Sequence, residues 1–369
     1  MASRLFSPIT LRGLTLPNRI VVSPMAQYSA QEGCATDWHF VHLGNLSMSG
    51  AGLIIVEATS MERDARLSPG DLGLWSDENE AALRPIIAFC RKHGSARIGL
   101  QLQHAGRKGS VTVAWERQRD IPPSEGGWIP SSADTIPYPG RELPLAIDRE
   151  RMAGLLDSYA RTTQRADRLG IDLLEIHAAH GYLLHNFLSP LSNRRRDEYG
   201  GSLENRLRFV LEVFKTVRAA WPAEKPLGIR ISATDWVEGG WTLDDSVELT
   251  RRLKALGCDY VTASSGGAVP EQKITVGPGY QVPFAQRIRN EAGIATMAVG
   301  LITQPRHAED ILQAGQADMV AIGRGMLFNP RWPWLAAAEL GDEASYPPQY
   351  ERSHPSMRRG DFLKPARPA

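Results

Sequence analysis

Short aliphatic runs alternate with longer amphipathic stretches along almost the whole chain, and nothing else constrains its fold as much. The runs are residues 20–22, 53–58, 98–102, 171–176, 227–232, 260–264, 295–299 and 319–322. Apolar runs of this length suit strands buried on both faces, as in parallel sheets. The stretches between them carry apolar residues at helical spacing: 79–93, 152–169, 205–220, 242–257, 284–292, 307–314 and 332–340. Gly170, Gly257 and Gly315 stand at helix ends, and Pro222 stops another helix. Thr242-x-x-Asp245 reads as a capping box.

About eight strand–helix units in succession favour a closed barrel over an open doubly wound sheet. The expected fold is therefore α/β, a (β/α)8 TIM barrel preceded by a β-hairpin within residues 5–20. Residues 106–149, after the third strand, are long and rich in Pro, Gly and Trp. A loop of that length in a compact domain reads as a lid or binding loop. Residues 1–345 are expected to form a single barrel domain. Residues 346–369 form a Pro- and Arg-rich extension, whose plain reading is a disordered end.

A net charge of +1 leaves no electrostatic claim on nucleic acid or a membrane surface. The basic run Arg194-Arg195-Arg196 is followed at once by Asp197 and Glu198. Cys34, Cys90 and Cys258 fit neither a disulfide framework nor a zinc site, which suggests a reducing compartment. No apolar run approaches a membrane span, and the first residues lack a signal-peptide core. A cytoplasmic enzyme without a metal is the expectation.

In a barrel, the strand ends share one mouth. The fourth run ends in His177, His180, Tyr182, His185 and Asn186. Two His three apart supply two donors to one substrate oxygen, with a Tyr beside them as an acid; packing or capping is the plainer role for any one of them. Other strand ends carry Ser23-Pro24-Met25-Ala26, Glu57-Ala58, Gln101 with His104, Arg230 and Ser264-Ser265. The last two end in Gly300 and Gly323-Arg324. There, backbone N–H groups and a guanidinium can hold a phosphate, although either Gly alone could merely turn the chain. Gln101 suits a cyclic imide edge and Arg230 an anionic reduced ring, so phosphate, Gln and Arg together suit FMN. No GxGxxG follows the first strand, so a Rossmann dinucleotide site is not indicated.

Seven segments carry a resemblance to a known family: FSPITLRGLTLPNRIVVSPM, GLIIVEAT, IGLQLQHAGRKGS, EIHAAHGYLLHNFLSPLSNRRRDEYGGSLENRLRF, GYQVPFAQRIR, AVGLIT and MVAIGRGML. Over nearly its whole length the chain resembles the old yellow enzyme family of flavin-dependent ene-reductases, and most of all its thermophilic-like bacterial subclass. The resemblance implies an FMN barrel reduced by NADPH or NADH and acting on small electron-poor alkenes. It implies Ser23, Pro24, Met25, Ala26, Ala58, Gln101 and Arg230 around the flavin, with Gly300, Gly323 and Arg324 at its phosphate. His177 and His180 would hold the substrate's carbonyl or nitro oxygen, Tyr182 would supply a proton, and Tyr28 would wall the pocket. Arg352, in a Tyr-Glu-Arg segment, would reach a neighbouring subunit's site, making the protein a homodimer or larger. Ala26 departs from the subclass, which usually has Cys there, and this bears on the flavin's redox poise. Two alternatives remain at this stage. A dienoyl-CoA reductase would need an iron–sulfur cluster, for which three scattered cysteines are too few. The other is a non-catalytic flavin- or phosphate-binding barrel.

Overall fold

Eight parallel strands close into a barrel in a computed structural model that describes residues 3–353. They are β1 (Ile20–Val22), β2 (Leu53–Ser60), β3 (Arg97–Gln103), β4 (Leu173–Ala178), β5 (Leu227–Ser232), β6 (Tyr260–Ser264), β7 (Ala295–Ala298) and β8 (Met319–Ile322). Each pairs with its sequence neighbour, and β8 closes onto β1. The outer ring is α1 (Asp37–Ser47), α2 (Asp77–His93), α3 (Arg149–Arg168), α5 (Leu203–Ala220), α6 (Leu243–Ala255), α7 (Val282–Ala292), α8 (Pro305–Gln313) and α10 (Trp332–Leu340). Two short helices sit at the mouth, α4 (Leu183–Leu188) after β4 and α9 (Arg324–Phe328) after β8.

The (β/α)8 expectation holds, and so does the hairpin, formed by Ile9–Leu11 and Leu14–Leu16. Its Leu11 and Leu16 pack with Val21, Leu53, Leu173, Tyr260, Met297 and Met319, so the hairpin plugs the barrel floor with apolar side chains. Gly228 makes room for the Tyr260 ring; a Cβ there would come within 2.3 Å of it.

The predicted helix starts fall short because caps lie a turn upstream. Ser76, Asp148 and Ser202 each accept an N–H from the first turn of their helix. The capping box at Thr242 and Asp245 forms as expected. The segment after β3 is more ordered than a bare loop. It contains single 3-10 turns and a two-residue parallel pair, Ser131–Ser132 with Leu145–Ala146. The fully buried Arg107 ties it to the mouth by donating to the carbonyls of Ile136, Pro137 and Ala268. The first part of the C-terminal extension is also held: the rings of Tyr346 and Trp334 stack at 4.3 Å, and Arg331 lies over both Trp334 and Tyr350. Residues 354–369 lie outside the described part.

Candidate active site

Inward-facing positions recur every second residue along a strand. On β4 they are Leu173, Glu175 and His177; on β5, Gly228, Arg230 and Ser232; on β6, Tyr260, Thr262 and Ser264. The interior thus changes from apolar to polar over two steps. Glu175 is fully buried and central to the polar tier. One oxygen accepts from Gln101 Nε2 at 2.7 Å, and the other accepts from Thr262 Oγ1. Burial raises its pKa, opposed by the Arg230 charge and these two hydrogen bonds. Because Glu175 takes the amide N–H of Gln101, the amide oxygen of Gln101 is left to accept from an N–H donor above it.

The β4 loop builds the donor cluster. The rings of His177 and His180 lie 5.0 Å apart, and those of His177 and Tyr182 4.9 Å apart. His180 is held at φ 59, a left-handed conformation, by its own N–H donating to Ser232 Oγ at 2.9 Å. Gly181 next to it approaches Gly267 so closely that a Cβ would lie 2.2 Å from the Gly267 carbonyl oxygen. Burial, with the Arg230 charge nearby, holds both imidazoles well below their usual pKa, so both are neutral donors. Burial raises the Tyr182 phenol above its ordinary range, which keeps its proton in place. Tyr28, also raised by burial, shares an apolar cluster with Tyr182.

A cavity of about 370 Å³ opens beside this cluster. Ser23, Pro24, Met25, His180, Arg230, Gly300, Gly323 and Arg324 all line it, so the barrel brings these sequence-predicted residues together. Ala26 is half-buried in the loop after β1, and Ala58 pairs with Gln101 across β2 and β3, where Glu57 forms a bulge. Arg352 is exposed on the 3-10 turn Pro348–Ser353.

Several contributors escaped the sequence reading. Glu175 hid inside what read as an apolar run. Its spacing of two from Leu173 and from His177 was the available signal. Gln281, just before α7, is buried and accepts from Ser265 Oγ at 2.6 Å. Glu57, which the sequence places at a strand end without a role, accepts the Gln27 N–H at 2.7 Å and lies 3.2 Å from His39 Nε2, which fixes the loop carrying Met25 and Ala26. Lys108 reaches in from the lid, donates to the His180 carbonyl at 2.8 Å, and sits 5.9 Å from the Tyr182 ring. Burial and the like charges of Arg107 and Arg141 lower its pKa to about 7.

The family model described as NADH:flavin oxidoreductase / NADH oxidase matches residues 4–343. The chain belongs to this family, the old yellow enzyme family. It is 48% identical to an NADPH dehydrogenase of Geobacillus thermodenitrificans over 354 residues, covering 95% of this chain and 99% of that one. It is 46% identical to an NADPH dehydrogenase of another Geobacillus strain over 355 residues, with the same coverage of both chains. A structure of morphinone reductase in complex with tetrahydroNAD superposes with a TM-score of 0.76 at 27% identity, covering 96% of this chain and 93% of that one. The chain is thus an NAD(P)H-dependent oxidoreductase with FMN as its cofactor. The residues present fit that group. Gly300, at φ 127, and Gly323 bare their backbone to the cavity. Arg324 lines the same cavity, and the buried Nε of Arg230 there has no hydrogen-bond partner among the described residues. An anionic phosphate and a polar ring edge are the chemistry these groups await.

Proposed function

We propose that this enzyme is an ene-reductase: it takes a hydride from NADPH or NADH and delivers it to the β-carbon of an alkene conjugated to a carbonyl or nitro group. FMN, when bound, supplies the hydride relay that splits the reaction into two half-reactions. The observation that carries this reading is the pair of neutral imidazoles, His177 and His180, with the Tyr182 phenol 4.9 Å from the first ring. His177 and His180 donate to the substrate oxygen as negative charge develops there, which stabilises the transition state electrostatically. Tyr182 holds the proton delivered to the α-carbon as general acid. Tyr28 walls the pocket. Gln101 and Arg230 meet the flavin's polar edge. Ser23, Pro24, Met25, Ala26 and Ala58 line the ring and side chain, and Gly300, Gly323 and Arg324 take the phosphate.

The barrel acts as one catalytic unit over residues 1–345. The extension lends Arg352 to the neighbouring subunit of a homodimer. Support for that pairing is the exposed apolar surface of Trp38, Val41, Leu327 and Phe328, together with the packing of residues 346–350 on Trp334. Three free cysteines suit a reducing cytoplasm. The described residues contain no helix long and apolar enough to cross a membrane.

The test is an anaerobic screen of cyclic enones, maleimides and nitroalkenes. The protein should be yellow, bleach with NADPH and regain its colour with the accepting alkene, giving the saturated product. Reoxidation by oxygen or quinones but by no activated alkene would refute the ene-reductase reading. Arg352→Ala should raise KM without loss of FMN.

A further inference from the structure

A line of hydrogen bonds joins the donor pair to the cavity, and the backbone sets its direction. Ala179 N–H donates to His177 Nδ1 at 3.2 Å. A main-chain N–H can only donate, so Nδ1 is bare and a neutral His177 carries its proton on Nε2. That Nε2 lies 3.2 Å from His180 Nδ1. His180 therefore accepts at Nδ1 and carries its own proton on Nε2, 2.7 Å from Ser264 Oγ. The Ser264 hydroxyl is left to donate to Gln281 Oε1 at 3.4 Å. Gln281 is oriented by its own Nε2 donating to the Val299 carbonyl at 3.2 Å.

This arrangement cannot hold a substrate oxygen with both rings. For His177 and His180 to donate to one oxygen, His180 has to carry its proton on Nδ1. Its Nε2 then becomes a buried acceptor that needs a donor. We propose that Ser264 is the positioning residue that permits this exchange. It accepts from His180 Nε2–H in the ligand-free protein and donates to the bare Nε2 once a carbonyl or nitro oxygen binds. The proton count of His180 is unchanged, since it moves from Nε2 to Nδ1 by exchange with water. The Ser264 hydrogen turns away from Gln281, whose Oε1 keeps the shorter bond from Ser265 Oγ at 2.6 Å. The hydroxyl at 264 is thus a two-way switch, and a side chain lacking it can serve neither state. The inference rests on the reading of His177 and His180 as the donors to substrate.

The experiment uses FMN-loaded protein with ¹⁵N-labelled histidine, and cyclohexanone as a carbonyl probe that lacks a reducible alkene. Nitrogen chemical shifts separate protonated from bare ring nitrogens. His180 should change from the Nε2–H to the Nδ1–H form as the ketone saturates. Ser264→Ala removes the partner of His180 Nε2 in both states, so the two losses offset in ketone affinity and the readout is the nitrogen shift. The bare Nε2 of the ketone complex should move to the position of a ring nitrogen that accepts no hydrogen bond. Ser264→Thr keeps the hydroxyl and should restore the parent shift, with both variants measured at full FMN loading as read by absorbance. A His180 proton that stays on Nε2 in the ketone complex would overturn the proposal, as would a bare Nε2 whose shift in that complex is the same in Ser264→Ala as in the parent. If Ser264→Ala fails to fold, the parent spectra alone decide. A parent protein that binds FMN but no ketone would sink the donor assignment itself, which separates that failure from this one.

Discussion

The floor and the mouth of this barrel are made by the same strands and meet opposite demands. At the floor, Leu173, Tyr260, Met297 and Met319 close around hairpin leucines, and Gly228 yields its side-chain space to Tyr260. Two and four residues further along β4 and β6, Glu175, His177, Thr262 and Ser264 crowd polar groups into similar burial. Each floor residue adds apolar area removed from water, and nothing there has to point at a ligand. Each mouth residue costs desolvation that its hydrogen bonds offset only in part. Stability and chemistry are therefore segregated along the barrel axis, and a change at one end should leave the other end's property largely intact.

The largest expected effect is at the mouth. Replacing His177 and His180 together with Ala should slow reduction of cyclohex-2-enone by about 10²–10³, the size of lost oxyanion donors. Reduction of the flavin by NADPH should suffer much less, and the midpoint of chemical unfolding should hold or rise. Stopped-flow traces of the two half-reactions with a denaturant titration check all three. A collapse of stability in this variant would break the separation of floor from mouth.

The complementary change is Gly228→Ala. Its Cβ would meet the Tyr260 ring at 2.3 Å in a fully buried layer. A loss of about 2–3 kcal/mol in unfolding free energy is expected for such overpacking. Turnover per bound FMN should stay within about twofold, because no mouth group is touched. Urea titration and flavin-normalised turnover test this, and turnover loss without stability loss would reverse the roles assigned to the two ends.

The same contrast explains what the sequence could disclose. Strands buried on both faces and amphipathic helices leave local patterns, so the barrel and the hairpin were legible, although the upstream caps start several helices earlier than their apolar spacing does. The donor cluster was legible because His177, His180 and Tyr182 fall within six residues. Glu175 was masked because the hydrophobic runs were read as continuous, although its inward position follows from a period of two. Gln281 lies about a hundred residues from His180, and only closure of the barrel brings it near Ser264. The ordered turns of the lid depend on Arg107 bonding to carbonyls far along the chain, which no local pattern announces.

Within the mouth, a second division separates side-chain donors at β4 and β5 from backbone donors after β7 and β8. Among the described residues, Arg324 is the one cation on the backbone side that lines the cavity. Arg324→Ala should weaken FMN binding about tenfold to a hundredfold, the range for a lost charge-assisted contact to phosphate. Riboflavin, which lacks the phosphate, should bind the parent and the variant alike. Fluorescence titration of apoprotein with both ligands measures the difference, and an equal loss for riboflavin would move Arg324 away from the phosphate.

The smallest expected effect concerns Lys108, where the lid meets the donor cluster. Its pKa of about 7 means that the ammonium is present below neutrality and mostly absent above it. The ammonium beside the His180 carbonyl and the Tyr182 ring favours negative charge in the pocket, so binding of an electron-rich carbonyl oxygen should weaken a few-fold as pH rises from 6 to 8. Stability should move the other way. The unfolded chain holds this proton up to a pKa of about 10.4. Above about pH 7 the unfolded state therefore binds more protons than the folded one, and the Lys108 contribution to stability rises with pH. Below pH 7 both states are protonated and the contribution is flat at its least favourable value. Lys108→Met keeps the length and removes the titration. It should flatten the ketone-binding profile between pH 6 and 8 and remove the matching rise in stability above neutrality. Ketone titrations and urea midpoints taken across that range on the parent and the variant test both slopes. Two parallel profiles would leave Lys108 as packing for the lid and would return the pH response of the mouth to the histidines.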